Sequence, residues 1–253
     1  MKRLYFDAET SPNVGTFWKA GYKQQIHYKN IIKERQLICV SYKWHNKDEV
    51  HTLDWGKKQC DKDLIKKFWK VIEKADEIIA HNGDRFDIKW LRTRAAFHRL
   101  PFPAQLNSVD TLKQARGNFY FNSNRLDYIG DFLGVGHKLE TSSGLWTRVC
   151  AGDQDALKEM IEYCEEDVRL LQRVHEIFVN YTPQKTNFAV LAGGAKWQCP
   201  ECGSVKVACN KTRTTAAGTI KCEYKCNDCR KHYTISNKSR MDHLQWKMLN
   251  GVR

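Results

Sequence analysis

Asp7 and Glu9 stand two residues apart in the opening stretch RLYFDAETSP. Side chains two apart on a β-strand share one face, and Arg3–Phe6 has the aromatic and aliphatic types of a half-buried strand, so both acids are expected side by side at its end. Asp87, in HNGDRFD, is expected near the start of a helix, just after an Asn82-Gly83 turn that follows a buried strand over Glu77–His81. Tyr163 and Asp167, in YCEEDV, are four residues apart within an expected helix and share a face, about 40° apart around its axis. Gathering Asp7, Glu9, Asp87 and Asp167 without counterions costs on the order of several kcal/mol, comparable with the roughly 5–15 kcal/mol that holds a domain together. Divalent cations remove that objection. Hard ions such as Mg²⁺ and Mn²⁺ take carboxylate oxygens, and two of them about 4 Å apart can clamp the attacking and leaving oxygens of a phosphodiester displacement.

A second set of residues suggests different chemistry. Cys199 and Cys202 in CPECG, with Cys226 and Cys229 in CNDC, form the pattern C-x2-C-x23-C-x2-C, and Gly203 allows a tight turn after the first pair. The pattern resembles a zinc ribbon. Four thiolates suit the tetrahedral preference of Zn²⁺ and leave no open position, so the role expected of one Zn²⁺ here is structural. A segment this short has little core of its own, and the roughly 10–16 kcal/mol of structural Zn²⁺ binding supplies the difference. Cys222 either competes as a ligand or packs on a ribbon strand, and Cys39, Cys60, Cys150, Cys164 and Cys209 read as ordinary thiols. Lys225, Arg230 and Lys231 surround the second pair, interleaved with Tyr224 and Tyr233. That mix suits contact with a nucleic-acid backbone plus stacking, or alternatively docking of a protein partner.

Positioning these groups takes an α/β framework. LICVSYKW and EVHTLDW flank the turn-like HNKD and read as a hairpin. DLIKKFWKVIEKA carries Leu64, Ile65, Phe68, Val71 and Ile72 at helical spacing. FDIKWLRTRAAFHRL reads as a helix stopped by Pro101 and Pro103, and LNSVDT as a strand. Asn124 is expected to cap RLDYIGDFLG, with Gly134 as its stop, and Asp153 to open the long helix that carries Tyr163 and Asp167. The order predicts a mixed sheet flanked by helices, with an early antiparallel hairpin. From Thr182 the periodicity weakens. The domains are expected at residues 1–182 and 198–253, joined by a linker at 183–197.

Charge is unevenly distributed. Residues 1–182 carry 29 Lys+Arg against 25 Asp+Glu, a net +4, whereas residues 183–253 carry 13 against 4, a net +9. The basic balance favours a polyanionic partner, nucleic acid first. The chain shows neither a secretory signal nor a membrane-spanning stretch, so a cytoplasm is expected, that of a phage host included.

FDAET, NGDRFD and YCEED occur in that order and resemble the motifs Asp-x-Glu, Asn-x-x-x-Phe-Asp and Tyr-x-x-x-Asp of the DnaQ-like, or DEDD, 3′-5′ exonucleases. These share the ribonuclease-H-like fold. The likeness spans about residues 1–180 and is greatest to the proofreading domains of B-family DNA polymerases and to similar stand-alone phage exonucleases. It implies a ribonuclease-H-like mixed sheet, with Asp7, Glu9, Asp87 and Asp167 holding two Mg²⁺ or Mn²⁺ and Tyr163 orienting or helping to deprotonate the attacking water. The histidine form of the family carries its base five residues before the last Asp, where this chain has Glu162, so the tyrosine form is implied. The implied activity is stepwise hydrolysis from a 3′ end, with single-stranded DNA as the leading substrate and the ribbon assisting binding. An inert zinc-ribbon adaptor and an RNA-directed or structure-specific nuclease of the same fold are the alternatives.

Some neighbours of the motifs have two readings. Asn82 and Phe86 are candidate substrate contacts, although Phe86 and Trp90 also suit core packing. Lys138 and His137 are either phosphate contacts or ordinary loop residues. Glu165 and Glu166 read as solvated helix charges. The segment Pro12–Gln36, with Phe17, Trp18, Tyr22 and Tyr28 among its lysines, suits a single-strand channel or an insertion packed on the sheet.

Overall fold

The computed structural model describes residues 2–19, 21 and 25–251, in two compact units, Lys2–Val174 and a second that begins at His175. Tyr22 lies outside the described residues.

The first unit opens with β1 (Arg3–Thr10), β2 (Val14–Gly15), β3 (Ile31–Lys33), β4 (Leu37–Trp44) and β5 (Val50–Asp54). It continues with α1 (Lys62–Ile72), β6 (Glu77–Ala80), α2 (Asp87–Phe97), β7 (Ser108–Asp110), α3 (Thr111–Asn118), α4 (Leu126–Phe132), α5 (Leu145–Cys150) and α6 (Gln154–Phe178), whose part up to Val174 belongs to this unit. The main sheet has the order β5-β4-β1-β6-β7. β1 pairs antiparallel with β4 and parallel with β6, so the sheet is mixed and β1 is its middle strand. β2 and β3 form a separate small ribbon within the Pro12–Gln36 segment, where Trp18 is fully exposed.

Alternation turns one face of β1 into a core. Leu4, Phe6 and Ala8 pack with Leu64, Ile65 and Phe68 of α1 and Ile88 and Leu91 of α2. On another part of the sheet, Ile38 and Cys39 pack with Leu145 and Val149 of α5 and Met160 and Cys164 of α6. The apolar stripe of α1 drives this burial, at about 1.5–3 kcal/mol for each large aliphatic or aromatic side chain.

A polar strut fixes α2. The buried carboxylate of Asp61 receives Arg94 Nε at 2.7 Å, Arg94 Nη2 at 3.0 Å, His98 Nε2 at 2.6 Å and the Leu37 backbone N–H at 3.0 Å. Burial opposes the Asp61 charge, but these donors outweigh it and hold the carboxyl below its usual range.

Three boundaries differ from expectation. β1 runs through Asp7 and Glu9 to Thr10, because Ala8 and Thr10 continue the buried alternation. α2 stops at Phe97, before the two prolines, with Arg99 in the left-handed region at φ 55°. Asn124 does not cap α4: Arg125 holds the cap position without a side-chain bond. The Asn124 side-chain Oδ1 is buried without a hydrogen-bond partner, while its backbone carbonyl accepts from His81 Nε2 at 3.0 Å. Gly134 at φ 66° and Asp153, which accepts from the N–H groups of Asp155 and Ala156, act as expected.

In the second unit, α7 (Phe188–Leu191) is followed by β8 (Val207–Thr214), β9 (Ile220–Cys226), β10 (His232–Ser236) and α8 (Asn237–Leu249). The strands form an antiparallel sheet in the order β10-β9-β8. Its core joins Trp197, Val207, Cys222, Tyr224 and Ile235, with Trp246 packed against it. Residues 183–197 thus carry a short helix and, at Trp197, a core residue. Among the described residues no helix is long and apolar enough to cross a membrane.

Candidate active site

β1 presents Asp7 and Glu9 on one face, and α6 brings Asp167 to them. One carboxylate oxygen from each of the three lies within 4.8 Å of the others. Asp87 stands outside that group but beside it. As the first residue of α2, and only 2 % exposed, it accepts the backbone N–H of Ala8 at 3.1 Å, between the two acids of β1.

The turn that delivers Asp87 has strict requirements. Asn82 sits in the left-handed region at φ 67°, and a Cβ on Gly83 would lie 2.5 Å from that of Ala80. Asp110, at the end of β7, holds the turn: its carboxylate accepts the N–H of Asn82 at 2.9 Å and also caps α3 through Leu112 at 3.0 Å. Sequence reasoning did not single out Asp110, although Asp-Thr between a strand and a helix is a capping signal.

Lys138 is drawn into the centre. Its Nζ donates to Asp167 Oδ2 at 2.5 Å and to the Tyr163 hydroxyl at 3.1 Å. Its loop approaches because Gly130 of α4 lacks a Cβ, which would stand 2.4 Å from the Gly136 carbonyl oxygen. Trp146 of α5 meets the Tyr163 ring edge-on, with centroids 6.2 Å apart. The Cys164 thiol lies 3.6 Å from Asp7 Oδ2, behind the centre.

Electrostatics reflect the crowding. Burial, with only partial compensation from Lys138, raises Asp7, and burial plus the charges of Asp7 and Asp167 pushes Glu9 well up. Asp87 is raised by burial and by Asp7. Burial and Asp7 push Asp167 up to about 7, and burial takes Tyr163 up to about 12. For Lys138, burial opposes the charge, but Asp167 and Asp7 more than offset it, so the ammonium is retained. The donor set fits hard divalent cations: every group is a carboxylate, three converge, and Asp167 Oδ1 is buried without a hydrogen-bond partner.

The centre opens onto a cleft of about 640 Å³, lined by Asp7, His81, Asn82, Arg116, Arg125 and Lys138 among others. His81 Nδ1 lies 2.9 Å from the Thr111 hydroxyl. Its Nε2 carries the proton, since the Asn124 carbonyl can only accept, and burial lowers its pKa to about 4. Phe86 and Trp90 are half-buried, and Trp90 packs against the core under the Arg35 guanidinium. His137 remains exposed. Glu165 and Glu166 are not simply solvated: Glu165 accepts the Thr52 hydroxyl at 2.9 Å, and Glu166 pairs with Arg173 at 2.6 Å.

A family profile described as the RNase H superfamily matches residues 32–179, more than half of the chain. The chain belongs to the RNase H superfamily. The matched span includes Asp87, Tyr163 and Asp167 and begins after Asp7 and Glu9. No curated protein sequence matches. Among solved structures, this superfamily member is similar to the family B DNA polymerase from the hyperthermophilic archaeon Pyrobaculum calidifontis, at 16 % identity and a TM-score of 0.51. The similarity covers 72 % of this chain and 26 % of the polymerase, so the chain spans about a quarter of that protein's length.

In the second unit the Sγ atoms of Cys199, Cys202, Cys226 and Cys229 lie within 4.8 Å of one another. Two pairs stand 3.5 and 3.6 Å apart, close to the roughly 3.8 Å expected around a tetrahedral ion with Zn–S bonds of about 2.3 Å. The cluster is compatible with a zinc ribbon. The two knuckles are built alike: Cys199 N–H donates to the Ser204 carbonyl and Cys226 N–H to that of Lys231. Gly203 at φ 73° in the first knuckle corresponds to Arg230 at φ 62° in the second. Cys222 is outside the group, in the ribbon core. Lys231 corrects an expectation. It is 2 % exposed, and its Nζ donates to the carbonyls of Val179 and Thr182, so its charge is spent inside the fold and not on phosphate. Arg230 is exposed and Lys225 half-buried.

Proposed function

We propose that this chain is a 3′-5′ exonuclease of the DEDD tyrosine form, acting on single-stranded DNA with two Mg²⁺ or Mn²⁺. One observation carries the reading: Asp7, Glu9 and Asp167, drawn from both ends of the first unit, bring carboxylate oxygens together beside Asp87. Asp7, Glu9, Asp87 and Asp167 would hold the ions, which supply positive charge to the phosphoryl transition state and favour a water nucleophile at neutral pH. The chain's own groups position the rest. Lys138 steadies Asp167 and Tyr163, and Tyr163 offers its hydroxyl to orient the attacking water. Asn82, Phe86 and the arginines of the cleft guide the strand. Residues 1–182 act as the nuclease domain and residues 198–253 as a Zn²⁺-held ribbon that assists nucleic-acid binding through Lys225 and Arg230.

Digestion of 3′-labelled and 5′-labelled oligonucleotides of DNA and RNA, with Mg²⁺, Mn²⁺ or chelator, tests the reading. Stepwise shortening from the 3′ end, abolished by chelator, is expected. Internal cuts would point to an endonuclease of the same fold, and absence of any cutting to an inert adaptor.

A further inference from the structure

We propose that the aromatic ridge over residues 119–132 is a stacking platform for unpaired bases of the strand whose 3′ end enters the cleft, an inference that rests on the nuclease reading above. Phe119 and Phe121 stack with centroids 5.2 Å apart, Phe121 meets Phe132 edge-on at 5.4 Å, and Tyr128 stacks on Phe132 at 6.2 Å. Asn122 Nδ2 donates to the Tyr128 hydroxyl at 3.2 Å, which ties the connection between α3 and α4 to α4 itself. Phe119, Phe121, Tyr128 and Phe132 hold one another in place, and Tyr120 stands beside them in sequence with its ring exposed. Phe132 is 64 % exposed and Tyr120 109 %, a concentration of aromatic surface that a monomer has no packing reason to display.

Placement selects the occupant. Arg116, four residues before Tyr120, and Ser123, three after it, both line the cleft that holds Asp7. With consecutive Cα atoms 3.8 Å apart, the Cα of Tyr120 is at most about 11 Å from that of Ser123. Arg116 and Arg125 are exposed and form no ion pair among the described residues, so positive charge runs beside the rings. Exposed aromatic faces next to unspent guanidinium groups suit a single strand, whose bases are free to stack and whose phosphates need neutralising. A duplex offers no free base faces without unpairing.

Two measurements on the full chain test this. The first is equilibrium binding, in chelator so that nothing is cut, of an oligothymidylate and of an abasic strand of equal length and charge. The native protein is expected to bind the abasic strand at least about tenfold more weakly. The double variant Tyr120→Ala/Phe132→Ala should lose most of that difference and Tyr120→Phe should keep it. Equal affinity of the native protein for both strands would overturn the platform, as would an unchanged difference in the double variant. The second compares hydrolysis of the strand with that of the p-nitrophenyl ester of thymidine 5′-phosphate, which reaches only the acidic centre. The ratio of kcat/KM values, strand over ester, should fall at least fivefold in the double variant. A constant ratio with both substrates turned over sinks the platform alone, whereas failure of the native protein on both substrates sinks the nuclease reading, leaving the binding comparison to decide the platform.

Discussion

The acidic centre and the cysteine cluster are both sets of anionic side chains, but they are assembled in opposite ways. The four sulfurs come from two short knuckles of one small sheet, each knuckle closed by its own backbone bonds. The acids come from a central strand, a helix start and the middle of a long helix, so they meet only after the first unit has folded. A closed tetrahedron of thiolates can contribute folding energy and no chemistry. An open carboxylate centre facing a cleft can do chemistry, and the fold must tolerate its repulsion. Lys138, bridging Asp167 and Tyr163, is the part of that tolerance supplied by the chain itself.

The largest effect that tests this contrast is loss of the sulfur site. Cys226→Ser, or removal of Zn²⁺ by a chelating dye, should unfold the second unit, since structural Zn²⁺ contributes about 10–16 kcal/mol. The near-ultraviolet signal of Trp197 and Trp246 should vanish, while ester hydrolysis by the first unit persists; retention of that signal would show that the ribbon core suffices without metal. Next comes the acidic centre. Asp7→Ala should lower cleavage at least about thousandfold, yet raise the melting temperature in chelator, because a repelling and poorly solvated charge is gone. A fall in melting temperature would mean that the acids stabilise the fold.

A smaller test is His81, beside the acidic centre. Its pKa of about 4 in the folded chain is below the ordinary 6.5, so the folded state prefers the neutral ring. The unfolded chain therefore binds more protons between those values. The associated stability is complete above pH 6.5 and is lost as the pH falls towards 4, by at most about 3 kcal/mol. His81→Gln should remove that part of the acid dependence in denaturant melts. Smallest is Lys231→Met in the ribbon, which strips a donor from two buried carbonyls and should cost about 1–3 kcal/mol. Strand affinity in that variant should match the native protein at every salt concentration, whereas a reduced salt slope would return Lys231 to the phosphate-binding surface.

What the sequence disclosed follows the same division. The hairpin of β4 and β5 was legible because strand-forming residues flank a turn-like HNKD, and the stripe of α1 because its buried residues recur at the helical period. The cysteines were legible because their spacing is local. The acids were legible only as an ordered set of motifs, and their convergence lay beyond what periodicity reports. Lys138 and Asp110 reach Asp167 and Asn82 across 29 and 28 residues, so although a capping signal marks Asp110 locally, no local pattern reveals either long-range contact. Lys231 misled because charge counting treats every lysine as solvated. α8 went unread because it turns Ser239 and His243 inward and leaves Met241 and Met248 outside, the reverse of an amphipathic pattern. Asn124 looked like a cap because its residue type fits one, but it stands one residue too early, and Arg125 takes the cap position.

The middle position of β1 has a further consequence. Paired on both edges, the strand cannot slide by one residue without turning Ala8 to the cleft and both acids into the packed layer against α1 and α2. Single-codon deletions between Arg3 and Thr10 should therefore be uniformly lethal to the centre, while length changes between β2 and β3, where the described residues are exposed, pass without notice. The strand behaves as a reading frame for side chains: its parity, more than its composition, is what heredity must copy faithfully.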